Sequence, residues 1–275
     1  MSASLIVVAD DFGATTGVNS AVLKLHKVGV LDAAAMMTHG RGFCEAISIC
    51  HGNPKLRIGL HLVLTDECSE RKYDWLDSRA RFPNRRRLLS KLFLREISES
   101  DIRDEIEAQI QMIENHGIKV TFINGHQHVH TLPYVAKVVA DVARERDIYI
   151  RIPLASRVQY SPKKLLMRCF AIVLRHYAKQ RGVHFNDILV SNFDLTSRTF
   201  DIDSTLGLLA DISGGRGVCE YMIHPSSEVT GLEHYWYVNP LHIAERLQEY
   251  ETWQTEAVAD AIQAFQRPWS LKGSK

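Results

Sequence analysis

The stretch Leu5-Ile6-Val7-Val8-Ala9-Asp10-Asp11 decides how the rest of the chain is read. Five consecutive apolar residues leave no polar face, so the segment predicts a strand covered on both sides, as in a parallel sheet. It ends in two adjacent carboxylates. Like charges side by side are costly unless a cation or a shared proton offsets them. A loop or helix-capping role is one reading, because Gly13 and Thr15 follow. The other is a division of labour, in which one aspartate ligates a metal and its neighbour takes a proton from bound water.

Outward from this segment, strand-like and helical patterns alternate. Val18, Val22, Leu25 and Val28 recur at helical spacing, with Gly29 at the end. Residues 33–37 form a weaker strand and Arg57-Ile58-Gly59-Leu60-His61-Leu62 a third. Residues from about 67 to 97 lack a clean period, carry Arg85-Arg86-Arg87, and read as a loop or insertion. A helix then runs through Ile102, Ile106, Gln109, Ile110 and Ile113, with N-cap candidates at 98–101. Residues 120–124 form a strand, Val135 to Val142 a helix, and 148–151 a strand stopped by Pro153. A second irregular stretch spans about 154–204, with a short strand-like run closed by Val190. Residues 218–223 are the last strand, and 240 to about 265 are mostly helical. This alternation predicts an α/β fold with a parallel sheet, open or closed. We read residues 1–275 as one domain with insertions at about 67–97 and 154–204.

The 275 residues are 45% hydrophobic and 24% charged, with a formal net charge of +1. Such a balance does not point to nucleic acid, and no apolar run reaches the ~18 residues needed to span a bilayer. The N-terminus has neither the basic segment nor the cleavage site of a signal peptide. The five cysteines, Cys44, Cys50, Cys68, Cys169 and Cys219, contain no C-x-x-C pair. They read as small, mostly buried thiols of a cytoplasmic protein.

The polar residues gather at the carboxyl ends of the predicted strands, where parallel α/β folds bind their ligands. Asp10 and Asp11 end the first strand and His61 the third. His126, His128 and His130 follow the fourth, Arg151 ends the fifth, and His224 ends the last. Three alternate histidines would face one side if the chain stayed extended, and such a cluster is a common metal-site signature. An aspartate with two neutral imidazoles suits a borderline or hard divalent cation. His224, before Pro225, is a candidate general acid, because imidazole delivers protons near neutral pH. Glu220 shares its side of the strand with His224 and either orients that imidazole or is a buried structural acid.

At these positions the chain resembles the YdjC family of carbohydrate deacetylases. The matching pieces are Ala9-Asp10-Asp11-Phe12-Gly13 with Asn19, Gly59-Leu60-His61-Leu62 with Leu64-Thr65, Gly125-His126-Gln127-His128-Val129-His130 with Pro133, and Glu220 with His224-Pro225. The resemblance implies a distorted (β/α) barrel like that of the polysaccharide deacetylases. It implies one divalent ion, magnesium or zinc, on Asp11, His61 and His126, with Asp10 as base and His224 as acid. Arg151, His128 and Glu220 are then expected to meet the substrate, an N-acetylated amino sugar on an oligosaccharide or a lipid. Where the family often has Asp-Ser or Asp-Gly before the histidines, this chain has Asn124-Gly125, a change that bears on the orientation of His126. A metal-dependent phosphoesterase and a non-enzymatic sugar-binding module are the rival readings.

One further segment stands out. After Ser161-Pro162, a helix start, come Lys163, Lys164, Arg168, Arg175, Lys179 and Arg181 with no acid among them. Leu165, Leu166, Cys169, Phe170, Val173, Leu174 and Tyr177 form an apolar stripe at helical spacing. The first expectation is that the stripe packs on the barrel or on a second subunit of a homodimer. Peripheral contact of residues 161–181 with an anionic membrane is the alternative.

Overall fold

In the computed structural model, which describes residues 4–69, 71–155, 161–195, 199–232 and 240–266, the predicted strands lie in one all-parallel sheet. The strands are β1 (Ser4–Phe12), β2 (Ala33–Met36), β3 (Arg57–Leu62), β4 (Val120–Gly125), β5 (Tyr149–Ile150), β6 (Ile188–Val190) and β7 (Val218–Ile223). Their order is β5-β4-β3-β2-β1-β7-β6. The two edges then meet. Ile150 N donates to His184 O at 3.0 Å and Leu189 N to Leu154 O at 2.8 Å. Between them the Asn186 side chain accepts from Ile152 N at 2.6 Å and donates to Ile152 O at 2.8 Å. A side-chain amide thus stands in for a missing strand residue, and the sheet closes into a distorted barrel.

Helices α1 (Thr16–Lys27), α2 (Phe43–Gly52), α3 (Arg85–Phe93), α4 (Glu99–Glu114), α5 (Val135–Arg146), α6 (Pro162–Arg181), α7 (Ile202–Ser213), α8 (Pro240–Trp253) and α9 (Glu256–Gln263) accompany the strands. Outward residues of β1, such as Leu5, Val7 and Ala9, join the large apolar cluster beneath the helices. The alternate residues Ile6 and Val8 join Ala33, Ala35, Phe122 and Tyr149 in a small cluster inside the barrel. The interior is narrow, and Gly59 makes room for the Phe122 ring, which a methyl group at that position would strike.

Three expectations need correction. The insertion at 67–97 contains α3, which buries only Leu88 and Leu92 and so carries too little apolar signal to show a period. Cys44, Cys68 and Cys169 are exposed; only Cys50 and Cys219 are buried, and burial pushes both thiols up to about 12. The apolar stripe of α6 is split. Leu174 is buried, with Ala171 and Ala178, where α6 meets α5, whereas Leu165, Leu166 and Val173 are exposed. Among the described residues no helix is long and apolar enough to cross a membrane.

Because the Phe122 ring has no free volume to move into, Gly59→Ala should cost about 1–3 kcal/mol, the usual range for overpacking a dense core. Urea unfolding checks this, and a variant as stable as the parent would contradict the packing described.

Candidate active site and metal centre

Period-two alternation puts neighbouring strand residues on opposite faces, yet Asp10 and Asp11 share one site. The cause is a bulge. Between Ala9 and Phe12, β1 advances three residues while β2 advances two, from Ala34 to Met36. The extra residue is Asp11, held at φ 61°, a left-handed conformation that costs a non-glycine residue energy. Asn19 fixes the turn that follows: its Oδ1 accepts from Gly13 N at 2.8 Å, and its Nδ2 donates to Gly42 O at 2.9 Å.

Asp10 faces into the barrel. Arg151 grips it with Nη1 at 2.5 Å and Nη2 at 2.8 Å, and Asn124 Nδ2 donates to its Oδ1 at 2.9 Å. Burial alone would raise the Asp10 carboxyl, but the charges of Arg151 and His61 outweigh it and hold the group below the usual carboxylate range. The Arg151 Nε also binds Glu220, which accepts a further hydrogen bond from the Tyr149 hydroxyl at 3.1 Å. Burial raises the Glu220 carboxyl, and Arg151 only partly opposes it.

Asn124 determines the tautomer of His61. A carboxylate only accepts, so the Asn124 amide must turn its NH₂ to Asp10 and its oxygen to His61 Nδ1, 2.7 Å away. His61 Nδ1 therefore carries the proton, and Nε2 presents a lone pair toward Asp11 Oδ1 at 3.1 Å. His126 Nδ1 approaches the same Asp11 oxygen at 3.3 Å. The three potential ligand atoms of Asp11, His61 and His126 lie within 4.8 Å of one another, and all three residues are buried. One carboxylate oxygen and two imidazoles, one fixed as a donor by its partner, fit a divalent cation. The other oxygen of Asp11 is bound by Arg246 of α8. Burial would raise the Asp11 carboxyl, but Arg246 and the two imidazoles hold it well below its usual range.

The sequence expectations fare unevenly. Asp10, Asp11, His61, His126, His128 and His224 line a single cavity of about 890 Å³. Arg151 and Glu220, expected to meet substrate, are fully buried and do not line the cavity; they brace Asp10 from beneath, and Glu220 contacts Arg151 rather than His224. The histidines do not project to one side. Gln127 and His128 adopt left-handed backbone angles within a tight turn, so the three rings fan apart. His126 meets Asp11, His128 lines the cavity, and His130 hydrogen-bonds Arg151 O at 3.0 Å below it. Burial pushes His130 down to about 3. Asn124 acts on His61 and Asp10, not on His126. Arg246 and Glu249 were missed, although both fall on the face of α8 that carries Trp253, where a charged residue is a signal in itself. His224 N donates to Glu249 Oε2 at 2.6 Å, and His224 Nε2 lies 3.8 Å from Asp10.

A family profile described as YdjC-like protein matches residues 4–264. The chain belongs to the YdjC-like family. Among its relatives, a carbohydrate deacetylase of Brevibacillus brevis is 34% identical over 152 residues, 54% of this chain and 59% of that one. A chitooligosaccharide deacetylase of Citrobacter koseri is 32% identical over 158 residues, 55% of this chain and 60% of that one. The match thus spans less than two thirds of the length of these curated relatives. A solved structure from Enterococcus faecalis V583, provisionally described as a cellobiose-phosphate cleavage protein, superposes over 97% of both chains with a TM-score of 0.76 at 22% identity. That likeness shows that the YdjC-like chain shares its fold end to end.

Glu249 supplies a pH test. Burial raises its carboxyl to about 8 against the lowering effects of the His224 amide and Arg246. A carboxyl raised in the folded state contributes stability that is complete below its unfolded value near 4.5 and is lost as pH climbs through 8. In metal-free protein, Glu249→Gln should therefore gain on the parent in melting temperature from pH 5 to 8 and level off above it. Parallel melting curves across that range would contradict the assignment.

Proposed function

We propose that this protein is a metal-dependent deacetylase that removes the N-acetyl group of an amino sugar, with magnesium or zinc held by Asp11, His61 and His126. The observation that carries this reading is the separation of the two adjacent aspartates. Asp10 is held by three hydrogen bonds from Arg151 and Asn124 and keeps one acceptor position, while Asp11 turns one oxygen to two imidazoles. Membership of the YdjC-like family and the names of its curated relatives supply the reaction class.

A divalent ion bound there supplies Lewis-acid polarisation of the acetyl carbonyl and acidifies a water. Asp10 is the proposed base. Its pairing with Arg151 keeps it ionised in a buried setting, and Asn124 fixes the plane of the carboxylate. That pairing lowers its basicity, so the water it deprotonates must itself be acidified. His224 is the proposed acid. Burial pushes its imidazole down, more strongly than Asp10 pulls it up, so the ring rests neutral and is loaded during the reaction. Asp10, 3.8 Å from its Nε2, is the group placed to pass that proton on. His224 then delivers it to the departing amine.

The test is acetate release from N-acetylated chito-oligosaccharides and from N-acetylglucosaminyl lipids, with and without chelator. Activity should vanish with chelator and return with metal. His61→Ala should lose both metal and activity. Asp10→Asn should keep its metal while losing on the order of 10²–10⁴ in rate, the scale of general acid–base catalysis. Full metal occupancy in His61→Ala, or loss of metal in Asp10→Asn, would overturn the assignment.

A further inference from the structure

The outward face of α6 carries the wrong residues for a helix in water. Leu174 seats the helix, with Ala171 and Ala178, on the side that meets α5. On the opposite side, where a surface helix ordinarily shows polar residues, stand Leu165, Leu166, Cys169, Ile172 and Val173. Leu165 is 60% exposed and Ile172 51%, and Cys169 is exposed too. Spacings of three and four residues put this set in one ridge. Nine large apolar side chains are exposed among the described residues, and six of them, Leu165, Leu166, Ile172, Val173, Phe93 and Leu94, belong to α6 or to the end of α3. The two helices touch where Arg85 of α3 meets Met167 of α6. Apolar exposure concentrated in this way marks a contact surface, whereas single scattered residues do not.

Cations flank the ridge on both sides. Lys164, Arg168, Arg175 and Lys179 follow one another at intervals of four, seven and four residues, which keeps them on one edge. Lys163 and Arg181, about five turns apart, mark the other. Neither α6 nor α3 contains an acidic residue. Arg175 pairs with Asp187 at 3.9 Å and Arg181 with Asp141, both outside the helix. Among the described residues, no ion pair involves Lys163, Arg168 or Lys179. The helix thus presents an apolar line between two rows of positive charge, with little of that charge answered by the protein itself.

We propose that the outward face of α6 docks on an anionic lipid surface, with the apolar ridge set among the acyl chains and the flanking lysines and arginines at the headgroups. A helix that is apolar along its outermost line and cationic at its edges lies in the plane of a membrane interface rather than across it. Charge decides between this occupant and a second copy of the chain. A symmetric pair would set the same surface of each copy against the other. That would bring the cationic edges of one α6 against those of its partner, with no acid in either helix to receive them. Anionic lipid supplies the opposite charge along the whole helix. Lys163, Leu166, Met167 and Phe170 also line the cavity, so a membrane held against α6 lies next to it. The docking goes beyond the deacetylase reading and does not rest on it.

Co-sedimentation with lipid vesicles measures the docking without turnover. The protein should pellet with vesicles of phosphatidylcholine mixed with phosphatidylglycerol and stay in solution with vesicles of phosphatidylcholine alone. Partition onto the anionic vesicles should fall about tenfold or more between low and high salt. The variant Leu165→Ser, Ile172→Ser, Val173→Ser and the variant Lys164→Glu, Arg168→Glu, Lys179→Glu should each lose about tenfold or more in partition. Both should melt with the parent, since none of the six side chains is buried, and either carries the test if the other does not fold. A local readout comes from Cys169. With Cys44→Ser and Cys68→Ser, an environment-sensitive dye on Cys169 should shift to the blue on anionic vesicles. The same dye on Cys44, with Cys68→Ser and Cys169→Ser, should not. Absence of binding to anionic vesicles at low salt would overturn the proposal, as would binding that survives both variants. So would a dimer in solution that the serine variant returns to monomer, since the ridge would then belong to a second copy.

Discussion

Inside the barrel, a guanidinium with no exposed surface joins Asp10 of β1 to Glu220 of β7. Removing one partner of such a buried pair leaves an uncompensated charge and costs about 3–5 kcal/mol. Three strands are therefore tied together at the point where the cavity floor forms. The chemistry depends on the same contact. Because Arg151 and Asn124 take three of the acceptor positions of Asp10, Asp11 is the carboxylate turned to the imidazoles. In the proposed mechanism the distinction between base and ligand is thus imposed from beneath the site.

The backbone meets the site's demands at some energetic cost. Asp11, Gln127 and His128 all have positive φ, as does Tyr134 just beyond. Each conformation is unfavourable for a residue with a side chain, and they cluster where side chains must converge. The surrounding amides hold them there: Asn19 clamps Gly13, and Gln109 pairs with both the N–H and the carbonyl of Val63 just after His61. Asn186 does the same for Ile152 at the closure of the barrel. Buried side-chain amides replace strand hydrogen bonds wherever the ladder is interrupted, which rigidifies the region around the cavity.

Most of the strands, and the face on which the site lies, were legible in the sequence because each apolar strand ends in a polar residue at the same topological level. The triad Asp11, His61 and His126 was legible through the convergence of strand ends together with the resemblance; periodicity alone would have sent Asp10 and Asp11 to opposite faces. The bulge at Asp11 and the turn through Gln127 and His128 carry no sequence mark beyond the residues themselves. Arg151 was expected at the ligand because it ends a strand, but alternation turns its side chain, like that of Tyr149, into the barrel beneath the cavity, where it binds Asp10 and Glu220. Arg246 and Glu249 were hidden within an ordinary amphipathic helix. The α3 segment read as a loop because its charges outnumber its two core leucines, and two of those charges, Arg85 and Arg86, line the cavity.

The most direct test of the division between the two aspartates is a zinc-soaked crystal measured at the zinc absorption edge. The account predicts one anomalous peak per chain, bonded to one oxygen of Asp11, to Nε2 of His61 and to Nδ1 of His126, with Asp10 still bound to Arg151. A peak bonded to Asp10, or a second fully occupied ion within the same cavity, would contradict it.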